Sequence, residues 1–423
     1  MKLKIYEDRN DLLIKLNSFA VALMVASLSI VGLFSRLFAS LSNSGNIIVL
    51  GAVCIVIFIS VIMSQKIYVS IPGLVIMGLV TSIFLLTLLL NSARCDYTPI
   101  QFIFYAVIPI YVICQKIDGE YVTRYIMYLS LFTLPVINKF FEIQYESFSQ
   151  AYMGNIFVIL TPVLVGMIHF KLYRKKSNIL TKIAYLYNLY VLILIFLYAN
   201  RGAVVCVLFG LAVVLINAYN EKERIKVKPI KLIIIVVCAI LAILVLINLE
   251  AILVWLSELC TQMFNSVPSF ISKMIRYIRK GDISDGRTNI SDFTYSFIMD
   301  KPIFGHGMET FASYSQPYSG NVTWPYPHNY VLQYLFEGGI VFAILPVWLS
   351  LSLSAKVLFA RIVDKKEFAL CATLVCSCIP KLFMSTDPWD STTIWMLVTY
   401  SLIYTLRQHA NSKKSRIAKN YNY

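Results

Sequence analysis

Residues 67–90 read IYVSIPGLVIMGLVTSIFLLTLLL, without one charged side chain. Coiled as an α-helix at 1.5 Å per residue, the run is about 36 Å long, enough to cross a hydrocarbon core about 30 Å thick. It has no polar face for water to wet, so it does not suit a surface helix of a soluble domain. Similar runs recur along the whole 423-residue chain, which is 58% hydrophobic and only 14% charged. Ordinary soluble domains carry about 25% charged residues. Twelve spans are read, near 17–38, 47–63, 67–90, 97–114, 121–138, 151–170, 182–199, 202–219, 231–257, 330–355, 367–385 and 391–406. The expected fold class is an all-α polytopic membrane protein with about twelve transmembrane helices, because only helices and closed barrels satisfy their backbone in lipid.

The net charge of +15 would suit nucleic acid, but its placement argues for topology and the lipid bilayer instead. With the N-terminus inside, the clusters Lys171–Lys176, Lys222–Lys231 and Lys413–Lys419 all fall on the cytoplasmic side. That is the positive-inside bias, and it places both termini in the cytoplasm. Residues 1–16 are charged and mixed, and no small-residue cleavage site follows the first apolar run, so span one reads as an uncleaved anchor. The nine cysteines show no paired C-x-x-C spacing of a metal site. Cys95 and Cys260 alone fall at outer loops, where one disulfide is the pairing that topology allows.

Three parts follow: spans one to nine in 1–257, a long outer loop in 258–329, and spans ten to twelve with a cytoplasmic tail in 330–423. A connection of that length inside a compact protein is functional or disordered. This one is patterned. Apolar residues recur at 264, 267, 271, 274, 275 and 278, with Lys273, Arg276, Arg279 and Lys280 on the remaining surface, as in a helix lying along headgroups. Ile290, Phe293, Phe297 and Ile298 predict a second short helix, which Arg287 opens and Pro302 stops.

Chemistry is sought on the outer side. His169 and His409 sit at cytoplasmic ends, which leaves His306 and His328. His328, in Pro327-His328-Asn329 where the loop re-enters as span ten, could take a proton from a sugar hydroxyl near neutral pH. It could equally cap the helix start. His306, between Gly305 and Gly307, reads as a flexible-loop residue in a supporting place. Arg201 lies in the short turn between spans seven and eight, as an anion ligand or a topological anchor. Arg287 offers a bidentate fork to phosphate, or a local pair to Asp285 or Asp292. Glu337 is a carboxylate inside span ten, functional or structurally paired. On a straight helix it faces away from His328, so cooperation would need a break, for which Gly338-Gly339 is the place. Tyr314, Tyr318, Trp324, Tyr326 and Tyr330 would suit stacking on a glycan.

Taken together, Asn200-Arg201-Gly202-Ala203, Asp285-Gly286-Arg287, Pro302-Ile303-Phe304-Gly305-His306-Gly307…Phe311, Pro327-His328-Asn329-Tyr330-Val331-Leu332 and Glu337-Gly338-Gly339-Ile340 resemble the ordered motifs of the O-antigen polymerase and ligase family, over roughly residues 198–345. Asn200 departs from the family's Ser or Thr, and Tyr326 stands where many ligases have a first histidine. The resemblance implies a GT-C-like glycosyltransferase of the bacterial inner membrane, its active site periplasmic. Its donor and acceptor would be glycans on undecaprenyl pyrophosphate, with a chain-length regulator as a further partner. By the same resemblance Arg201 and Arg287 bind pyrophosphate, His328 activates the acceptor, and Asn329, Glu337 and His306 support them. No metal or cofactor is expected, and the loop has no D-x-D pair to hold a divalent ion. Polymerase is the favoured activity and ligase the alternative. A transporter is the other class, less suited because no internal repeat is seen and the charged candidates crowd one face.

Overall fold

The helices form where lipid leaves the backbone no other partner than itself. A computed structural model describes residues 2–27, 45–65, 67–91, 94–95, 97–135, 137, 156–198, 201–216, 248–265, 267, 269–280, 287–317, 324–359, 362, 364–384 and 387–420. Among the described residues the regular structure is helical throughout. The main elements are α1 (Lys2–Val25), α2 (Gly45–Ser64), α3 (Ile71–Asn91), α4 (Pro99–Ile113), α5 (Gly119–Ser130), α6 (Ile156–Tyr173), α7 (Ile179–Tyr198) and α8 (Arg201–Ile216). They continue with α9 (Leu249–Phe264), α10 (Ser269–Lys280), α11 (Arg287–Asp300), α12 (Phe311–Ser315), α13 (Tyr330–Leu358), α14 (Lys365–Leu382) and α15 (Thr392–Asn420).

Helices α3 and α13 are long and apolar enough to cross a membrane, while stretches of α2, α4, α7 and α8 are apolar but shorter. Their outward faces carry large hydrocarbon side chains, among them Ile55, Phe58, Leu186, Ile344 and Trp348, with Leu89 80% exposed. Water would not tolerate so much contiguous apolar surface, and lipid requires it. The chain is a helical membrane protein.

Helix α14 is the axis of the bundle. It packs against α5, α6, α8, α13 and α15, and every residue from Phe368 to Leu382 is buried. Asp364 caps its start by accepting from the Glu367 N–H at 2.7 Å. A second, smaller core lies beside α13, where Ile290 and Ile298 of α11 meet Phe311 and Phe336.

Several expectations are met. Spans three, four, six, seven, eight, ten and eleven coincide with α3, α4, α6, α7, α8, α13 and α14, and the second loop helix is α11, which starts at Arg287. Others need correction. The helical period read from 264 to 278 belongs to two helices, because Asn265 ends α9 in the left-handed region (φ 52°) and its N–H bonds back to Thr261. Helix α9 runs on past residue 257 to Phe264. Span five leaves the α-helix after Ser130 for a tighter turn at Leu131–Thr133. Cys95 and Cys260 are not joined in a disulfide, and Cys260 lies within α9 and not in a loop. Residues 28–38, 136, 138, 151–155, 199, 217–219, 231–247 and 385 of the expected spans lie outside the described residues.

Candidate functional site

The site is built on the start of α13. Asn329 is extended (φ −151°, ψ 111°) and its side-chain oxygen accepts from the N–H groups of Val331 at 3.0 Å and Leu332 at 3.5 Å. It is the N-cap, so the capping alternative for the Pro-His-Asn turn falls to Asn329 and not to His328. His328 itself is half-buried in the left-handed region, φ 58°, with its ring 4.6 Å edge-on from Tyr326. A non-glycine residue held there stores about 1–3 kcal/mol of strain, which the surrounding turn must maintain.

Helix α13 then breaks, at Gly339 (φ 62°, ψ −172°). The break strands carbonyls on one side and N–H groups on the other, and the 302–307 segment satisfies both. His306 N–H donates to Phe336 O and Gly307 N–H to Glu337 O, each at 2.8 Å. In return Ile340 N–H donates to Pro302 O at 2.9 Å and Val341 N–H to Ile303 O at 3.3 Å. The backbones lie so close that a Cβ on Gly339 would meet Ile303 O at 2.2 Å, and one on Gly305 would meet Glu337 O at 2.5 Å. The segment is also tied to α3: Asn91 donates to His306 O at 2.6 Å and Met308 N–H to Thr87 Oγ1 at 2.7 Å.

His306 is therefore no flexible-loop residue. It is 1% exposed, stacked on Phe336 at 4.7 Å and flanked by Tyr314 and Phe297. Its Nε2 lies 2.9 Å from Phe297 O, while Nδ1 is buried without a partner among the described residues. Burial is the main cause holding its pKa below the ordinary histidine value. This imidazole is a neutral packing piece of the joint.

Glu337 is fully buried and its Oε2 accepts from the Trp389 indole N–H. The glycine break does exist, but it lies beyond Glu337. The carboxylate thus stays on the half-helix that follows His328, about 10 Å below its start, and the break brings the two no closer. Around it Gln333 donates to both oxygens of Asp387 at 3.0 Å, Asp387 accepts from Trp389 N–H at 2.9 Å, and Tyr97 donates to Trp389 O at 2.6 Å. This network staples the first half of α13 to the turn before α15. Burial first, then the charges of Asp387 and Glu337, raises the Glu309 carboxyl above its ordinary range. Burial and then Asp390 do the same at Asp387.

Arg201 and Arg287 each open a helix, α8 and α11, and both helices pack on α13. The structure so brings together the three elements that carry the residues singled out for chemistry. The two guanidinium groups lie outside the described side chains. Of the aromatic residues expected to stack on glycan, Tyr330 is fully buried against Phe383 at 5.0 Å, and Tyr314 and Trp324 join the small core. Tyr326 remains beside His328, and Tyr318 lies outside the described residues. Sequence reasoning missed Asp387 and Trp389, which lie in a short turn without pattern. It also missed Arg94, whose guanidinium covers the Tyr314 ring at 4.2 Å, and Lys381, a cation inside an apolar run. The rule applied to Glu337, that an ionisable group in a span is functional until paired, would have found Lys381.

Residues 186–347 match the family model described as O-antigen ligase. The match begins in α7 and ends in α13, so it contains Arg201, Arg287, His306, His328, Asn329 and Glu337 and stops before α14. It agrees with the resemblance to the O-antigen polymerase and ligase family that the motifs carry. No curated protein matches the chain.

Proposed function

We propose that this chain is an O-antigen polymerase of the inner membrane, a twelve-span glycosyltransferase that joins lipid-linked repeat units on the periplasmic face. The observation that carries the reading is the packing of the two arginine-bearing helices on the helix that His328 precedes, with Arg201, Arg287 and His328 all in the matched segment. His328 takes the proton of an acceptor hydroxyl, whose oxygen forms a bond to the anomeric carbon of the donor glycan. The bond from that carbon to the pyrophosphate oxygen breaks, and the carrier pyrophosphate leaves with the electron pair. Arg201 and Arg287 hold the departing charge, work for which fixed cations suffice without a metal. Undecaprenyl-pyrophosphate-linked glycan serves as donor and acceptor, and a chain-length regulator is a further partner.

Purified protein in proteoliposomes with lipid-linked repeats tests this. New glycosidic bonds are expected, and their formation should persist in EDTA. Movement of substrate across the bilayer without new bonds would replace the transferase with a transporter, and loss in EDTA with recovery in Mg²⁺ would end the metal-free mechanism.

A further inference from the structure

Lys381 is the penultimate residue of α14, 6% exposed and close to where α13 begins, since Phe383 packs on Tyr330. Its ammonium donates to Thr161 Oγ1, and among the described residues no carboxylate comes within ion-pair distance. A cation left so in a bundle core is expensive unless an anion compensates it. The lysine lines a small pocket together with Val25, Ser27, Ser377, Cys378, Ser391, Thr392 and Thr393, whose hydroxyl groups face a partly apolar wall. The last three include the first residues of α15, a long helix whose opening N–H groups add a positive field. A buried cation, hydroxyl groups and a helix N-terminus around one space suit an oxyanion.

The position gives the oxyanion an identity. Helices α8, α13 and α14 touch one another pairwise. Lys381 is within electrostatic reach of Cys206, and Cys206 lies five residues, about 7.5 Å along the axis, after Arg201. On its other side Phe383 packs on Tyr330, two residues after His328. We infer that Lys381 and this pocket bind an anionic oxygen of the lipid-linked donor's pyrophosphate, as a third cation beside Arg201 and Arg287. The inference rests on the transferase reading above and extends the site beyond the matched segment.

Binding of a polyprenyl pyrophosphate without its glycan to the purified full chain tests it, with polyprenol and inorganic pyrophosphate as companion probes. Lys381→Met should weaken polyprenyl pyrophosphate roughly tenfold or more, the scale of one lost charge-assisted bond, and leave polyprenol binding unchanged. Lys381→Arg should recover most of the loss. The Met protein should melt no lower than wild type, since hydrocarbon replaces an uncompensated charge. Undiminished binding by Lys381→Met, or its melting well below wild type, would overturn the assignment and leave the transferase reading in place. Inorganic pyrophosphate bound as tightly as the lipid would make the pocket a free-anion site and overturn the donor assignment. A wild-type chain that binds no polyprenyl pyrophosphate would overturn the transferase reading, and this inference with it.

Discussion

His328 combines an imidazole with a backbone conformation that histidine adopts only under constraint (φ 58°). Removing the side chain should therefore separate activity from stability. His328→Ala is expected to lose about 10²–10⁴-fold in activity, the usual range for a general base. His328→Gly should be as inactive but at least as stable as wild type, because glycine enters the left-handed region without strain. Activity at wild-type level with equal accumulation in the membrane would remove His328 from the chemistry. His306 behaves differently, since burial holds its pKa below the ordinary value. Above about pH 6.5 it is neutral in both folded and unfolded chains and costs nothing. As pH falls below that, the unfolded chain takes up a proton that the folded one refuses, so stability drops by up to about 1.4 kcal/mol per pH unit until the folded pKa is reached. Melting measured from pH 8 to pH 5 should show this slope in wild type and a shallower one in His306→Gln. Parallel curves would mean that the imidazole is not held neutral.

The joint between the 302–307 segment and broken α13 is the element on which the position of His328 depends. Gly305 and Gly339 both have positive φ, and a Cβ on either meets backbone at 2.5 Å or less. Gly305→Ala and Gly339→Ala should each lose at least about 1–3 kcal/mol and lower activity as well, because the capped half-helix loses its anchorage. Gly78→Ala, with no described neighbour within 4 Å of the new methyl, is the control and should melt no lower than wild type in detergent, since alanine suits a helix interior better than glycine. If all three variants melted alike, the joint would not matter to stability. This element also shows what a sequence can and cannot tell. The motifs Pro302…Gly307 and Glu337-Gly338-Gly339 were legible, and so was the suspicion of a break. Their mutual pairing was not, because both halves of α13 share one apolar period that reads as a single straight helix. His306 looked mobile between two glycines for the same reason: those glycines permit close backbone approach, and close approach is what buries the ring. Glu337 was visible as a charge, but its partner Trp389 lies 52 residues away in a turn that no periodicity marks.

At the scale of the whole molecule, the membrane class and most helices were readable, since lipid imposes length and apolarity that survive in composition. Lys381 was overlooked because one basic residue among cysteines, serines and leucines barely alters a window average. The acceptor separates a polymerase from a ligase, and the two differ by mass balance and not by site chemistry. Both release the same pyrophosphate and need the same base and cations. A polymerase passes the growing chain to a second lipid-linked repeat, so its product stays on the carrier. A ligase passes the chain to a lipid A–core sugar, so its product leaves the carrier. Tyr326 stands where many ligases carry a first histidine, two residues before His328, and in the structure it packs edge-on against that ring at 4.6 Å. It packs on the imidazole without completing the His-x-His pair of those ligases, which favours the polymerase. In a strain lacking this protein, lipopolysaccharide should therefore show core bearing a single repeat, with the long-chain ladder absent. Wild-type protein supplied in trans should restore the ladder, and the His328→Ala protein should not. Bare core, with polymer accumulating on the carrier lipid, would show that polymerisation proceeds without this chain, and would assign it the transfer to core instead.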